Sequence, residues 1–342
     1  FSFFRFLGGI GVGASTIAAP TYVSEISPAK KRGQLVALYQ FNIVFGILIA
    51  FVSNFLLRDF GTQPWRWMIG IEALPSVLYL IGIVSVPKSP RWVLFKKKNL
   101  TKAQAIFKEI NGNELTESEI EEINLEQDSA TSQKFLFSKT YRFPLILAFL
   151  IAFFNQLSGI NAFLYYAPRI FEAAGLQESA ALLSSIGIGV KNLIFTLLGL
   201  YLIDKIGRRL LMIIGSIGYI LSLSLVSIAF LQGWQGISIP IFLFLFIASH
   251  AIGQGAVIWV FISEIFPDSL RAQGQSFGSS VHWILAALIT LFMPIVLSAF
   301  SNPGYVFILF AGMMILQLIF VLFLMPETKG FTLERLNKLL IK

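Results

Sequence analysis

Nine long apolar runs, separated by polar stretches, make up most of this chain. They fall at roughly residues 3–23, 35–57, 66–86, 143–171, 180–203, 210–231, 238–262, 276–298 and 304–325. A helix needs about 20 apolar residues to cross a bilayer, and each run meets that length. Lipid gives backbone groups no hydrogen-bond partner, so the runs predict membrane-spanning helices and not isolated strands. The one long polar stretch, 88–140, is rich in Lys, Glu, Asn and Ser. Within it Ala103, Ile106, Phe107 and Ile110 recur at helical spacing, which predicts a connector with short amphipathic helices.

Composition agrees with this pattern: 56% of the 342 residues are hydrophobic and only 13% are charged. The net charge of +8 would suit a nucleic-acid partner, but its placement argues against one. Basic residues crowd alternate loops: Lys30, Lys31 and Arg32; Lys88 to Arg142; Lys205, Arg208 and Arg209; Arg271; Lys329 to Lys342. That alternation is the positive-inside signature and predicts a multi-pass protein of a cell membrane, plasma or bacterial inner, with a cytoplasmic C-terminus. The chain has no cysteine, so thiol chemistry does not arise.

The chain also repeats itself. Ser24-Glu25-Ile26-x-Pro28-x-x-x-Arg32 returns 239 residues later as Ser263-Glu264-Ile265-x-Pro267-x-x-x-Arg271. Val86-Pro87-Lys88-Ser89 and Met325-Pro326-Glu327-Thr328 keep the same offset. Duplicated helical bundles are a common build of secondary transporters, which bind substrate between their halves. The expected organisation is three spans of an N-terminal half over 1–87, a cytoplasmic connector over 88–140, a six-span half over 141–326 and a cytoplasmic tail over 327–342. Three spans precede the second copy's Glu264 helix, so about 100 residues with three spans are expected ahead of residue 1, giving twelve in all.

Several motifs occur together and in order. They are Arg5-x-x-Gly8-Gly9-x-Gly11-x-Gly13; the Glu25 to Arg32 phrase; Pro87-Lys88-Ser89-Pro90-Arg91-Trp92; Asn155-Gln156-Leu157-Ser158-Gly159-Ile160-Asn161 followed by Tyr165-Tyr166; Asp204-Lys205-x-Gly207-Arg208-Arg209; Trp259 ahead of Ser263-Glu264-Ile265-Phe266-Pro267; and Pro326-Glu327-Thr328-Lys329-Gly330. As a set, over the whole chain, they resemble the sugar porter family of the major facilitator superfamily, which includes bacterial xylose–proton symporters and animal facilitative glucose transporters. The resemblance implies an all-α membrane protein with the major facilitator fold. It also implies alternating-access transport of a monosaccharide, hexose or pentose.

A sugar presents hydroxyls around an apolar face, so its site needs neutral amides and an aromatic plate. Full charges there are costly to desolvate. By similarity Gln40, Gln156, Asn161, Asn192, Trp259 and Trp283 are expected to line it. Asn155 stands where many relatives carry Gln, and His282 where they carry a neutral amide; both are expected to contact substrate. Gln156 and Asn161 are five apart, and Gly159 between them allows the helix distortion that would let both reach one cavity. Tyr165 and Tyr166 match an external gate, and equally suit an interfacial aromatic anchor. Lys191 lies mid-span, where its charge is expensive; it either snorkels or pairs, or senses an ion or substrate charge.

Two sets of charges remain. Glu25, Arg32, Arg91, Asp204, Arg208, Arg209, Glu264 and Arg271 match a cytoplasmic charge latch that pairs across helices and halves. Lys88 stands where relatives have an acid. Arg5 and Glu72 each lie within a span, plausible only as a pair. They match a proton-coupling pair, which favours proton symport; facilitative uniport is the alternative, and a transporter-like membrane sugar sensor a further one. The sequence offers no paired acids within the membrane and no metal-ligand cluster, so an enzyme is not expected. No cofactor or nucleic-acid partner is expected; the expected partners are a monosaccharide, protons and the lipid bilayer, with the protein a monomer.

Overall fold

The computed structural model describes residues 1–26, 32–112, 135–234, 236–330 and 339–340. Among them it is helical, without strands. Among the described residues, nine segments are long and apolar enough to cross a membrane: 2–20, 38–57, 64–85, 139–173, 178–206, 208–231, 238–264, 270–299 and 304–323. Each overlaps one of the nine runs expected from hydropathy.

The residues group into two compact units, residues 1–43 with 59–134, and residues 44–58 with 135–342. The first holds α1 (Ser2–Ile26), the start of α2 (Arg32–Leu57), α3 (Pro64–Gly70), α4 (Ala73–Ser85), α5 (Pro90–Lys97) and α6 (Leu100–Asn111). α3 and α4 form one span with a break at Ile71 and Glu72. In the described part of the polar stretch after α4, two short helices form. Ser89 accepts a hydrogen bond from the Trp92 N–H and Pro90 opens α5; Asn99 caps α6 through the Lys102 N–H. Val93, Ala103 and Ile106 are buried together, with Leu94 and Ile110 against them.

The second unit contains the larger core. Its helices are α7 (Arg142–Leu157), α8 (Ile160–Ala173), α9 (Glu178–Ile206), α10 (Arg208–Leu231), α11 (Ser238–His250), α12 (Ala256–Glu264), α13 (Asp268–Ala299) and α14 (Gly304–Phe323). Tyr219, Phe171, Phe246, Phe261 and Phe266 are fully buried there. Two spans are interrupted, and both interruptions position polar groups. α7 and α8 join at Gly159, whose φ of +82° suits a residue without a Cβ. A Cβ at Gly159 would also come within 2.6 Å of the Phe310 ring. α11 and α12 join through a π-helical turn, Ala251–Gly255. Such a turn places one extra residue in the helix and re-aims its side chains. Small residues admit it: a Cβ on Gly253 would lie 2.9 Å from Gly215 Cα on α10, and one on Gly199 of α9 would lie 3.0 Å from Ala251 O.

Candidate functional site

The break at Gly159 turns the chain so that Asn161, at the start of α8, reaches back to the last turn of α7. Asn161 Nδ2 donates to Gln156 Oε1 at 2.9 Å. Gln156 Nε2 in turn donates to Asn155 Oδ1 at 2.9 Å and lies 3.1 Å from His282 Nδ1 on α13. His282 stands against Trp259 of α12 with ring centroids 5.1 Å apart, and Trp283 follows it, partly exposed. The Trp259 main-chain carbonyl accepts from Gln275 Nε2 at 2.8 Å, which ties α12 to α13 at this level.

Asn155, Gln156, Asn161, His282 and Trp259 therefore meet within the second unit. Their exposure divides them. Asn155 and Gln156 are 2% and 0% exposed, whereas Asn161, His282 and Trp259 are half-buried. The group is neutral amides, one imidazole and indole faces; Lys, Arg, Asp and Glu take no part in these bonds. Such a set recognises hydroxyl groups, which donate and accept at once, and an apolar ring face.

Asn192 is buried on α9 and stands outside this hydrogen-bonded chain. Gln40, on α2 in the first unit, has a buried side-chain oxygen without a hydrogen-bond partner among the described residues. Tyr166 donates its hydroxyl to Thr290 O of α13 at 3.2 Å, while Tyr165 is 63% exposed. The adjacent tyrosines thus have different environments. Lys191 places its ammonium 5.5 Å from the Phe244 ring centroid, a cation–π contact. His250 Nδ1 meets the Tyr219 hydroxyl at 2.5 Å, as a helix-packing histidine would.

The amide chain runs further than the sequence indicated. Asn155 Nδ2 donates to Gln254 Oε1 at 3.3 Å, Gln254 Nε2 to Gln317 Oε1 at 2.7 Å, and Gln317 Nε2 to Ser216 Oγ at 2.8 Å. Gln254, Gln317 and Ser216 are fully buried. Sequence reasoning missed all three. The available signal was a polar side chain inside each of three apolar runs, where an unpaired amide would be expensive.

The charged groups form two further clusters. In the first unit Arg5 Nη1 and Glu72 Oε2 are 2.8 Å apart, with both side chains more than half exposed. In the second, Arg208 lies under Glu264 of α12, with Nε to Oε2 at 3.2 Å and Nη2 to Oε1 at 2.8 Å. Arg208 Nη1 is also 3.0 Å from Asp204 Oδ1. Arg209 donates to the carbonyls of Val321 and Leu322, and Arg271 to Ser263 O. The side chains of Glu25, Arg32 and Arg91 lie outside the described residues. The described ion pairs of this second cluster join helices of the second unit. Thr328 was not assigned to this cluster from sequence, whereas Glu327 keeps the acid of the second motif copy. Thr328 Oγ1 donates to Glu264 Oε2 at 2.6 Å, and Glu327 accepts the backbone N–H groups of Arg208 and Arg209 at 2.9 and 3.0 Å. A carboxylate at the first turn of α10 compensates the positive end of that helix.

The sugar (and other) transporter family model matches residues 1–340. The D-xylose-proton symporter of Escherichia coli (strain K12) is 33% identical over 352 residues, covering 99% of this chain and 71% of the symporter. The glucose transporter GlcP of Staphylococcus epidermidis is 37% identical over 342 residues, covering 97% of this chain and 75% of that protein. Among solved structures, the partially occluded inward-open conformation of the xylose transporter XylE from E. coli is similar at a TM-score of 0.85 and 31% identity, covering 97% of this chain and 72% of that one. The proton:xylose symporter XylE bound to 6-bromo-6-deoxy-D-glucose matches at a TM-score of 0.83 and 33% identity, over 99% and 74% of the two chains.

Proposed function

The chain belongs to the sugar (and other) transporter family and is a multi-pass membrane protein with the major facilitator fold, and from that premise we propose that it carries a monosaccharide across a cell membrane by alternating access, coupled to protons. The observation that carries this reading is the uncharged cluster of Asn155, Gln156, Asn161, His282 and Trp259 at a break in two membrane spans. In lipid, so many polar groups at one place are costly unless they serve a polar cargo.

Asn161, His282 and Trp259 supply the accessible face: an amide and an imidazole for hydroxyls, an indole for the ring. Asn155 and Gln156 hold them from behind. Asn192 and Trp283 complete the set that the family likeness assigns. Binding energy does not make or break a bond here; it shifts the balance between outward- and inward-facing states. Tyr166, clipped to Thr290, and the exposed Tyr165 are the outer gate of this scheme. The charges around Arg208 are its inner latch, with the basic loops and the C-terminus in the cytoplasm. The N-terminal span set (1–87), connector (88–140), second half (141–326) and tail (327–342) are its domains, and the monomer is its working unit.

Proton coupling rests on Arg5 and Glu72. Their contact lets protonation of the carboxylate release the guanidinium to another partner, tying proton binding to a conformational change. The relatives named for proton symport of xylose favour this over uniport.

The test is uptake of labelled D-xylose and D-glucose by liposomes containing the protein, with and without an inward proton gradient. Accumulation driven by the gradient supports the full reading. Equilibration without accumulation supports transport as a uniporter. Neither sugar entering above protein-free liposomes overturns both and leaves a sensor.

A further inference from the structure

We infer that Gln254, Gln317 and Ser216 are positioning residues that fix which end of the substrate-facing amides donates and which accepts. The inference rests on the sugar-binding reading of Asn161 and concerns residues that reading does not use.

Ser216 Oγ is 2.7 Å from Met212 O, the carbonyl one turn earlier on α10. Two oxygens this close require a proton between them, and a carbonyl has none to give. The single hydroxyl proton of Ser216 is therefore committed to Met212. Its oxygen can only accept from Gln317, so the Gln317 amide must turn its NH2 toward Ser216. That leaves Gln317 Oε1 facing Gln254, which must donate with Nε2.

The same necessity passes along every link. Gln254 presents Oε1, so Asn155 donates with Nδ2; Asn155 presents Oδ1, so Gln156 donates with Nε2; Gln156 presents Oε1, so Asn161 donates with Nδ2. Five amides thus point one way, and the direction is set by a main-chain carbonyl on α10. Amide orientation is otherwise a free choice, since oxygen and nitrogen are nearly the same size.

The consequence falls on Asn161, the half-buried end of the chain. With one N–H given to Gln156, it keeps its Oδ1 and one N–H for the substrate. Reversed, its oxygen would face Gln156 with one lone pair already engaged, and its two N–H groups would face the substrate. The anchored sense thus supplies an acceptor that a sugar hydroxyl must satisfy as donor. The structural route to this anchor is the π-helical turn, which carries Gln254, and the glycines that bring it close to α10.

The experiment uses the purified protein and measures dissociation constants for D-glucose and its monodeoxy-monofluoro analogues. Fluorine in place of a hydroxyl cannot donate. In the unaltered protein, one analogue should bind about tenfold more weakly than glucose, marking the hydroxyl that donates to Asn161. In Ser216→Ala and in Gln317→Leu the anchor is cut, and that ratio should fall toward one. Ser216→Thr, which keeps the hydroxyl, should restore it. Should Ser216→Ala not fold, Gln254→Met cuts the chain one link nearer and gives the same readout. A residue that merely supports packing would weaken both ligands equally or lower the unfolding temperature with the ratio intact; that result in two cut variants overturns the inference. No glucose or xylose binding by the unaltered protein overturns the sugar reading itself, and the inference with it.

Discussion

Arg208 and Glu264 meet through two N–H···O bonds, at 3.2 and 2.8 Å, with the arginine side chain 10% exposed and the carboxylate 21%. The arginine opens α10 and the glutamate closes α12, so the fork fastens two helix ends. Asp204 and the Thr328 hydroxyl bind the same two groups from other segments. An exposed pair would contribute little, but this one is largely withdrawn from water, and removing one partner strands the other. Arg208→Ala should therefore destabilise the second unit by about 3 kcal/mol, while the double variant Arg208→Leu with Glu264→Leu recovers part of the loss. Thermal unfolding in detergent measures both. If the pair is also a latch, the single variant should change the rates of opening at the basic face, read by cysteine accessibility at engineered positions there.

Gly207 provides an independent check on the same corner. Its φ of +92° is one that side chains resist, and an added Cβ would lie 2.5 Å from the Glu327 carboxylate. That carboxylate receives four backbone N–H groups, from Arg208, Arg209, Thr328 and Lys329. Gly207→Ala should cost about 2 kcal/mol through backbone strain and the displaced cap. Glu327→Gln puts an NH2 where N–H groups converge and should cost about 1 kcal/mol even though the size is kept. Both are measured as unfolding midpoints; an unchanged midpoint for Gly207→Ala would mean that the turn and its cap do not support α10.

Much of the architecture was legible because the membrane makes it so. A run of about 20 apolar residues has few alternatives to a spanning helix, and each of the nine runs overlaps a segment of that kind among the described residues. Gly159 could be picked out as a break because it separates two amides that a straight helix would carry apart. Gln254, Gln317 and Ser216 could not be joined from sequence. They lie 63 and 101 residues apart on three helices whose rotation is set by packing, and Gln254 depends on a π-helical turn that no residue type announces. Thr328 was hidden for a related reason: its partner is a distant carboxylate, which motif spacing does not reveal. Tyr165 and Tyr166 are adjacent in sequence yet only one is clipped to a neighbouring helix, a difference fixed by which face of α8 each occupies.

For the first unit the decisive residue is Glu72. Its carboxylate lies 2.8 Å from Arg5 at a break between α3 and α4, with both side chains open. Glu72→Gln keeps size and hydrogen-bonding but cannot gain or lose a proton. The expected result is loss of proton-driven accumulation with sugar exchange across liposomes retained, since exchange needs no net proton movement. Alkalinisation of the medium on adding sugar should vanish in the same variant. Accumulation unchanged in Glu72→Gln would remove this pair from the coupling scheme.

At the amide cluster, Asn161 and His282 should respond differently to substitution. Asn161→Ala removes the half-buried end of the hydrogen-bond chain and leaves Gln156 Oε1, in a fully buried side chain, without its donor. The lost hydrogen bond to substrate is worth about 1 kcal/mol, or roughly fivefold in KM for uptake, and the unsatisfied acceptor lowers the unfolding midpoint as well. His282→Asn restores the neutral amide that the family likeness expects at this place. An asparagine can still accept from Gln156 Nε2, so binding should fall by no more than about threefold. Trp259, however, loses the ring it stands against, at 5.1 Å, and its indole becomes freer to turn. The intrinsic fluorescence change on adding sugar should therefore differ between His282→Asn and the unaltered protein even where the affinities agree. Equal KM values for Asn161→Ala and the unaltered protein would place the sugar elsewhere, because no other half-buried side chain continues this chain of amides among the described residues.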